Sequence, residues 1–435
     1  MTYPTLKTQA DELRKAKRYA EAVPLYEQLW GKYRPECNEW DGWGYAFCLK
    51  QQKEYKEALN ICREVYKLKS DFEPIKSLYA WCIYYTEIVL QSIHDETRFF
   101  KAAEGILKLS KQDDQYAPYT QTVFKVLDYL NSKAILQTDK VLQWTAKLNF
   151  EILDDTSFSF TDHTGKTREL ASKKEQYFMW RAKALYLKGL FEECISLCEK
   201  AFVSINSFHY DNQVWFERMI ALSNNALNNT DLALKQLKSA LRNRKEWFIQ
   251  KEIAEIYFKQ GNLEEALKYA LDGALNIGES NKKLNLYKLL SDILVSTQQQ
   301  EEAKKHIEFI YHIRKSQGWK IDSELQTLIH QYEIAPHKIV HLKDLERSLK
   351  QVWEQLKFSK QTKLIGTIKT ILPNGKAGFI ETNEKKSYYF RINHFLSRQK
   401  WCQAGQTVSF FLEEGFDAKK NQKTENAISI KPINS

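Results

Sequence analysis

Few of the devices that tie a chain to chemistry are present. Seven cysteines in 435 residues are too few and too scattered for a disulfide framework. There is no Cys-x-x-Cys pair and no matched pair of histidines, so the usual zinc spacings are missing. Cys194 and Cys198 stand four apart, stacked on one helix face, and read as two buried small residues. The phosphate loop Gly-x-x-x-x-Gly-Lys-Ser/Thr, the Gly-x-Ser-x-Gly elbow, His-Glu-x-x-His and the Arg-x(4–6)-His pattern of helical ribonucleases are all absent. His306 and His312 lie six apart and do not share a helix face. No enzyme, cofactor or metal is expected.

Long apolar runs are missing too. The opening "MTYPTLKTQADELRKAKRYAEA" holds no apolar stretch, so no secretory signal is expected. The most apolar segment, "SLYAWCIYYTEIVLQSI", is interrupted by Glu87 and is short for a membrane span. It reads as a buried helix. The expectation is a reduced, cytoplasmic protein with no membrane partner.

What the chain does have is length, charge asymmetry and repetition. With 435 residues and 43% hydrophobic content it exceeds one ordinary globular domain, and an elongated array is another use of such length. Residues 363–435 hold twelve Lys/Arg and six Asp/Glu, so +6 of the net +10 sits in that tail. A basic tail suggests an anionic partner, nucleic acid before membrane.

The repetition is clearest in "KEIAEIYFKQGNLEEALKYALDGAL", Lys251 to Leu275. Ala254 and Tyr257 lie on one helix, Gly261 and Asn262 break it, and Ala266, Ala270 and Gly273 line the next. Antiparallel helices approach closely where small residues meet, and larger neighbours fill the space beside them. The same template recurs around Ala22, Ala58, Cys194, Ala233 and Ala303, with a weaker copy at Ala103. Steps of 36 (Ala22 to Ala58), 39, 33 and 37 (Cys194 to Ala233, Ala266 and Ala303) resemble the tetratricopeptide repeat. The resemblance implies a degenerate helical solenoid that serves as a scaffold for an unidentified protein partner; Tyr45, Asn224, Asn225 and Tyr257 are candidates to project from its concave face, or equally to be packed or solvated.

The organisation expected is therefore mainly α. Helical repeats fill 1–150 and 173–334, and an irregular loop or hairpin, "EILDDTSFSFTDHTGKTREL", interrupts them at 151–172. A capping or linking helix follows at 335–362, after a break at Ala335-Pro336. Residues 363–435 change character. Leu364–Ile371, Ala377–Thr382, Ser387–Ile392, Thr407–Glu413 and Glu425–Ile430 read as five short strands, which suits a small barrel of the oligonucleotide-binding type.

"GTIK…GKAGFIET…SYYFRI…GQTVSFFLEEG…ENAI" is similar to the cold-shock domain over Lys363–Lys431. Gly378, Phe379 and Ile380 match its second-strand motif, and Tyr389 takes the place of a stacking aromatic on the third. Ala377 replaces an aromatic, Arg391 a histidine and Ile392 a further aromatic; Lys369-Thr370-Ile371 stands for Lys-Trp-Phe on the first strand. The resemblance implies single-stranded RNA, or DNA, as a partner. Phe379, Tyr389 and the flat Arg391 guanidinium can stack on bases, while Lys369, Lys376 and Lys385 supply charge. Trp401 is a candidate to replace a lost aromatic, or to plug the barrel end.

Two readings stay open. One is a non-enzymatic adaptor, with nucleic acid on the barrel and a protein on the array. The other is a purely protein-binding scaffold with a degenerate barrel, suited to the sensor or scaffold part of a bacterial conflict system.

Overall fold

The computed structural model describes residues 2–89, 93–162, 164–210, 212–335, 341–359, 361–395, 402–417 and 422–433. It is a helical solenoid of tetratricopeptide type followed by a closed five-stranded barrel. The chain divides into two compact units, Met1–Ala233 and Leu234–Ser435.

The first unit contains α1 (Tyr3–Lys15), α2 (Tyr19–Lys32), α3 (Glu39–Gln51), α4 (Tyr55–Leu68), α5 (Glu73–Ile83), α6 (Glu96–Leu109), α7 (Tyr119–Asn131), α8 (Thr138–Thr145), α9 (Lys173–Lys188), α10 (Phe191–Ser204) and α11 (Asn212–Ala226). The helix α12 (Thr230–Asn243) starts in it. From α1 to α11 each helix packs on the next along the chain. The segment "SLYAWCIYYTEIVLQSI" starts within α5, which passes into a π-helical turn at Tyr84–Ile88.

Small residues explain the pairing. Ala22, Ala58, Ala103, Cys194, Ala233, Ala266 and Ala303 are all fully buried. In six pairs a second small residue stands twelve positions earlier: Ala10/Ala22, Ala46/Ala58, Ala182/Cys194, Ala221/Ala233, Ala254/Ala266 and Ser291/Ala303. The Cys194 thiol donates to the Ala182 carbonyl at 3.4 Å and the Ser291 hydroxyl to the Ala303 carbonyl at 3.2 Å, so these positions touch. The pair α7/α8 has Val141 buried on its second helix instead of a small residue, which is why it escapes the sequence template.

Two features lock the first repeats. Asn38 caps α3: its side chain accepts from Trp40 N (3.0 Å) and Asp41 N (3.2 Å), while Asp41 Oδ2 accepts from Asn38 N at 2.9 Å. Buried Asp41 also takes the Tyr3 hydroxyl (2.8 Å) and Lys7 (2.7 Å), tying α1 to α3. Burial, with Asp41 adding, pushes the Tyr3 phenol up to about 12. Gly42 then lets α3 close on its neighbours, since a methyl there would stand 2.3 Å from Val65 and 2.4 Å from Trp30. Between α8 and α9, β1 (Phe158–Thr161) and β2 (Thr167–Leu170) form an antiparallel hairpin.

The second unit holds α13 (Trp247–Lys259), α14 (Leu263–Leu275), α15 (Leu284–Ser296), α16 (Gln300–Ser316), α17 (Ser323–Gln331) and α18 (Leu342–Lys357). The Lys283 ammonium is buried at the end of α14 and donates to the carbonyls of Gly273 (3.1 Å), Ala274 (3.3 Å) and Asn276 (2.5 Å). These are carbonyls left over at the helix terminus. Burial, opposed by Glu346, brings its pKa down to about 8. The break at Ala335-Pro336 reaches beyond the described residues. The helix α18 lies on α14 and α16, with Leu349 and Trp353 buried. Trp353 stacks on Tyr287 (5.4 Å, 14°), and its indole N–H donates to His306 Nε2 at 2.7 Å. An indole only donates, so His306 carries its hydrogen on Nδ1, which donates to the Glu302 carbonyl at 2.7 Å. His306 is a core residue.

The barrel strands are β3 (Leu364–Ile371), β4 (Ala377–Thr382), β5 (Ser387–Arg391), β6 (Thr407–Asp417) and β7 (Gln422–Pro432), in the order β3-β4-β5-β7-β6 closing on β3. Only β5 and β7 pair in parallel among these strands. The core is Ile368, Ile380, Phe390, Val408, Phe410, Ala427 and Ile430. Strands β6 and β7 run longer than the sequence pattern suggests. Gly415 permits this, because a methyl there would meet the Asn426 amide at 2.2 Å.

Gly42→Ala is expected to cost about 1–3 kcal/mol through overpacking. Gly105→Ala, in open space on α6, is expected to gain up to about 1 kcal/mol from helix propensity. Urea midpoints of the two variants check this. Burial also holds His306 down at about 4, against an ordinary value of 6.5. The unfolded chain therefore binds the extra proton between those values. The stabilisation is complete above the ordinary value and fades as pH falls toward the folded one, on the order of 3 kcal/mol in all. Thermal midpoints measured across that acid window are expected to fall less in the His306→Leu/Trp353→Phe double variant than in the parent.

Candidate nucleic-acid interface

Strand alternation sorts the barrel residues. On β4 and β5, Ile380, Tyr388 and Phe390 turn into the core. Phe379 and Tyr389 are half-buried outside it, and Arg391 is exposed. Cross-strand partners follow in a row over the outer face: Thr370 opposite Phe379, Phe379 opposite Tyr389, Tyr389 opposite Asn426, and Asn426 opposite Glu413. The Phe379 and Tyr389 rings meet edge to face, 5.7 Å apart at 68°.

A bulge makes this row possible. Ile368 pairs with Ile380 and Thr370 with Phe379, which leaves Lys369 as the extra residue and brings Thr370 to the outer face. Gly378 allows the close approach: a methyl on it would stand 2.5 Å from the Thr370 carbonyl oxygen and 2.7 Å from Phe390. Lys369 is exposed but paired with the Glu381 carboxylate across the strand. Lys376 is exposed after the turn at Gly375 (φ +64°) and makes no ion pair among the described residues. Ala377 is buried opposite Arg391. Ile371 and Ile392 pack against the core, so their loss of aromatic character does not thin the outer face. Lys385 occupies the turn with φ +59°. Trp401 lies outside the described residues.

Closure and the neighbouring helix bring further residues to this face. Asn426 and Glu413 enter through the β5–β7–β6 pairing. His394 is half-buried just past Arg391. Burial holds it below its ordinary value; Glu413 opposes this, while Lys245, Lys357 and Arg391 add to it. Lys357, at the end of α18, bridges Asp272 (2.7 Å) and Glu413 (3.7 Å). Phe358 stacks flat on Phe411 (4.3 Å, 8°), and Lys431 pairs with Glu354 at 2.8 Å. These contacts seat the barrel on α18.

On the array, most of the candidates for projection are packed. Tyr45 stacks on Tyr26 at 6.4 Å, Asn224 is buried, and Tyr257 stacks on Tyr269 at 5.9 Å with its hydroxyl accepting from Lys238. Asn225 is half-buried. Among the described residues no group of three His, Cys, Asp or Glu is arranged to hold a metal, and no helix is long and apolar enough to cross a membrane.

A family model described as a domain of unknown function (DUF7017) matches residues 214–351, less than half of the chain, and stops before the barrel. No curated protein matches. Among solved structures, the chain is similar to the human IFIT1 dimer with PPP-AAAA at 12% identity, over 82% of each chain, with a TM-score of 0.35. It is similar to Naa15/Naa10 bound to HypK-THB at 15% identity, over 82% of this chain and 52% of that one, with a TM-score of 0.40. A tetratricopeptide repeat protein from Parabacteroides merdae is similar at 12% identity, over 76% of this chain and 98% of that one, with a TM-score of 0.26. Likenesses this distant carry no argument about ligands or partners.

Lys357→Met would leave Asp272 and Glu413 without their shared cation. Because the ammonium is partly solvated, the expected cost is about 1–3 kcal/mol. Hydrogen exchange should rise first in β6 and α18.

Proposed function

We propose that the chain is a non-enzymatic adaptor that binds single-stranded nucleic acid, RNA before DNA, on the outer barrel face and docks a protein on its helical array. The observation that carries this reading is the Phe379–Tyr389 ring pair in the centre of that face, with exposed Arg391 beside it on β5. Rings on a strand face offer π-surfaces to unpaired bases, and nearby cations answer the phosphates. The strand order, with its single parallel pairing, supports an oligonucleotide-binding barrel, as does the resemblance of Lys363–Lys431 to the cold-shock domain. A second contact through the array would raise the effective concentration of a weak nucleic-acid site.

One observation favours the scaffold reading instead. Glu381 neutralises Lys369, one of the few cations on the face. Anisotropy of the full chain with labelled oligo-uridine separates the two. Binding is expected to be salt-sensitive, and Tyr389→Ala should lose about 1–3 kcal/mol of it. Arg391→Ala should shallow the salt dependence, and Glu381→Gln, which frees Lys369, should tighten binding. Absence of binding at low salt, or indifference to all three changes, overturns the nucleic-acid reading.

A further inference from the structure

The first unit carries a surface that the barrel does not use. On α3, Trp40, Trp43, Phe47 and Lys50 recur at i, i+3, i+7 and i+10 and so share one helix face. Trp40 is 53% exposed, and the other three are half-buried. Neighbouring repeats extend the stripe on both sides. Arg14 of α1 lies over Trp43 at 5.2 Å, and Lys50 lies over Trp81 of α5 at 5.5 Å. Trp43 stacks on Phe47 (5.2 Å, 23°) and Trp81 on Tyr85 (5.5 Å, 22°).

The two cations differ. Arg14 is answered by Asp11 at 3.2 Å. Lys50 makes no ion pair among the described residues. Burial lowers its pKa, and the Cys82 thiol opposes this. A half-buried ammonium resting on an indole without a counter-ion leaves room for an anion from outside. The rings indicate which anion. Trp43 is already engaged by Arg14 and Phe47, and Trp81 by Lys50 and Tyr85, so these indoles have little free face for a nucleobase. Trp40 remains: its ring meets Trp43 (5.9 Å, 73°) and Phe72 (4.8 Å, 76°) edge to face yet stays exposed, and such a ring suits an apolar side chain next to a carboxylate.

We propose that this face of α1, α3 and α5 binds an acidic, apolar peptide segment of a protein partner, with a Glu or Asp side chain paired to Lys50 and an apolar side chain packed on the exposed part of Trp40. The proposal rests on the reading of the array as a protein-docking scaffold and names where the docking occurs and what it recognises.

The test uses the full chain and four fluorescent probes: a random glutamate/tyrosine copolymer, a random lysine/tyrosine copolymer, polyglutamate and oligo-uridine. The copolymer is expected to bind more tightly than polyglutamate. Lys50→Gln and Trp40→Ala, each with unchanged circular dichroism, should weaken it roughly tenfold, while leaving oligo-uridine binding unchanged. Copolymer bound equally by parent and variants overturns the site but leaves the array reading standing. Oligo-uridine weakened by Lys50→Gln overturns the peptide assignment in favour of nucleic acid. If the chain binds neither this copolymer nor a lysine/tyrosine one, both the site and the array reading fail.

Discussion

The indole of Trp353 donating to buried His306 is the contact on which the second unit depends. It fixes α18 against α14 and α16, and α18 in turn carries the barrel through Phe358, Lys357 and Glu354. Both ring nitrogens of His306 are satisfied only while it is neutral, so the clamp has a defined protonation state as well as a defined geometry. A barrel tethered by a loose linker would sample many orientations. Here an ion pair, a bridging lysine and a flat ring stack hold it to a helix that is itself part of the repeat core.

The solenoid rests on a simpler constraint, the meeting of small residues at a constant step of twelve positions. That step explains why the array is legible in the sequence. A small residue flanked by larger apolar ones leaves a periodic mark, and the marks at Ala22, Ala58, Cys194, Ala233, Ala266 and Ala303 all fall on buried contacts. The pair α7/α8 was not legible because Val141 fills the contact position there. Nor could the sequence show that Asn224 turns inward, since a polar residue on a helix gives no sign of which neighbour it meets.

The barrel was legible for a different reason. Alternation marks inward and outward residues, and the glycines mark where strands crowd: Gly378 at the bulge and Gly415 beside Asn426. The individual roles were less legible. Lys369 could be counted as a free cation only without knowing that Glu381 lies across the strand, and Ile371 and Ile392 looked like lost stacking positions although they pack on the core. Lys357 and Lys245 are remote in sequence, and only the docking of α18 brings them near His394. Pairings between strands and between distant elements set the electrostatics of the face, and no local pattern encodes them.

The outer row around Phe379 and Tyr389 is the face proposed to take nucleic acid. The most direct measurement is photo-crosslinking of the full chain to a 4-thiouridine oligomer, with the modified residues mapped by mass spectrometry. A nucleic-acid face there predicts adducts on Phe379, Tyr389 and the adjoining β4–β5 residues, lost at high salt. Adducts confined to the helices, or none at low salt, would contradict it.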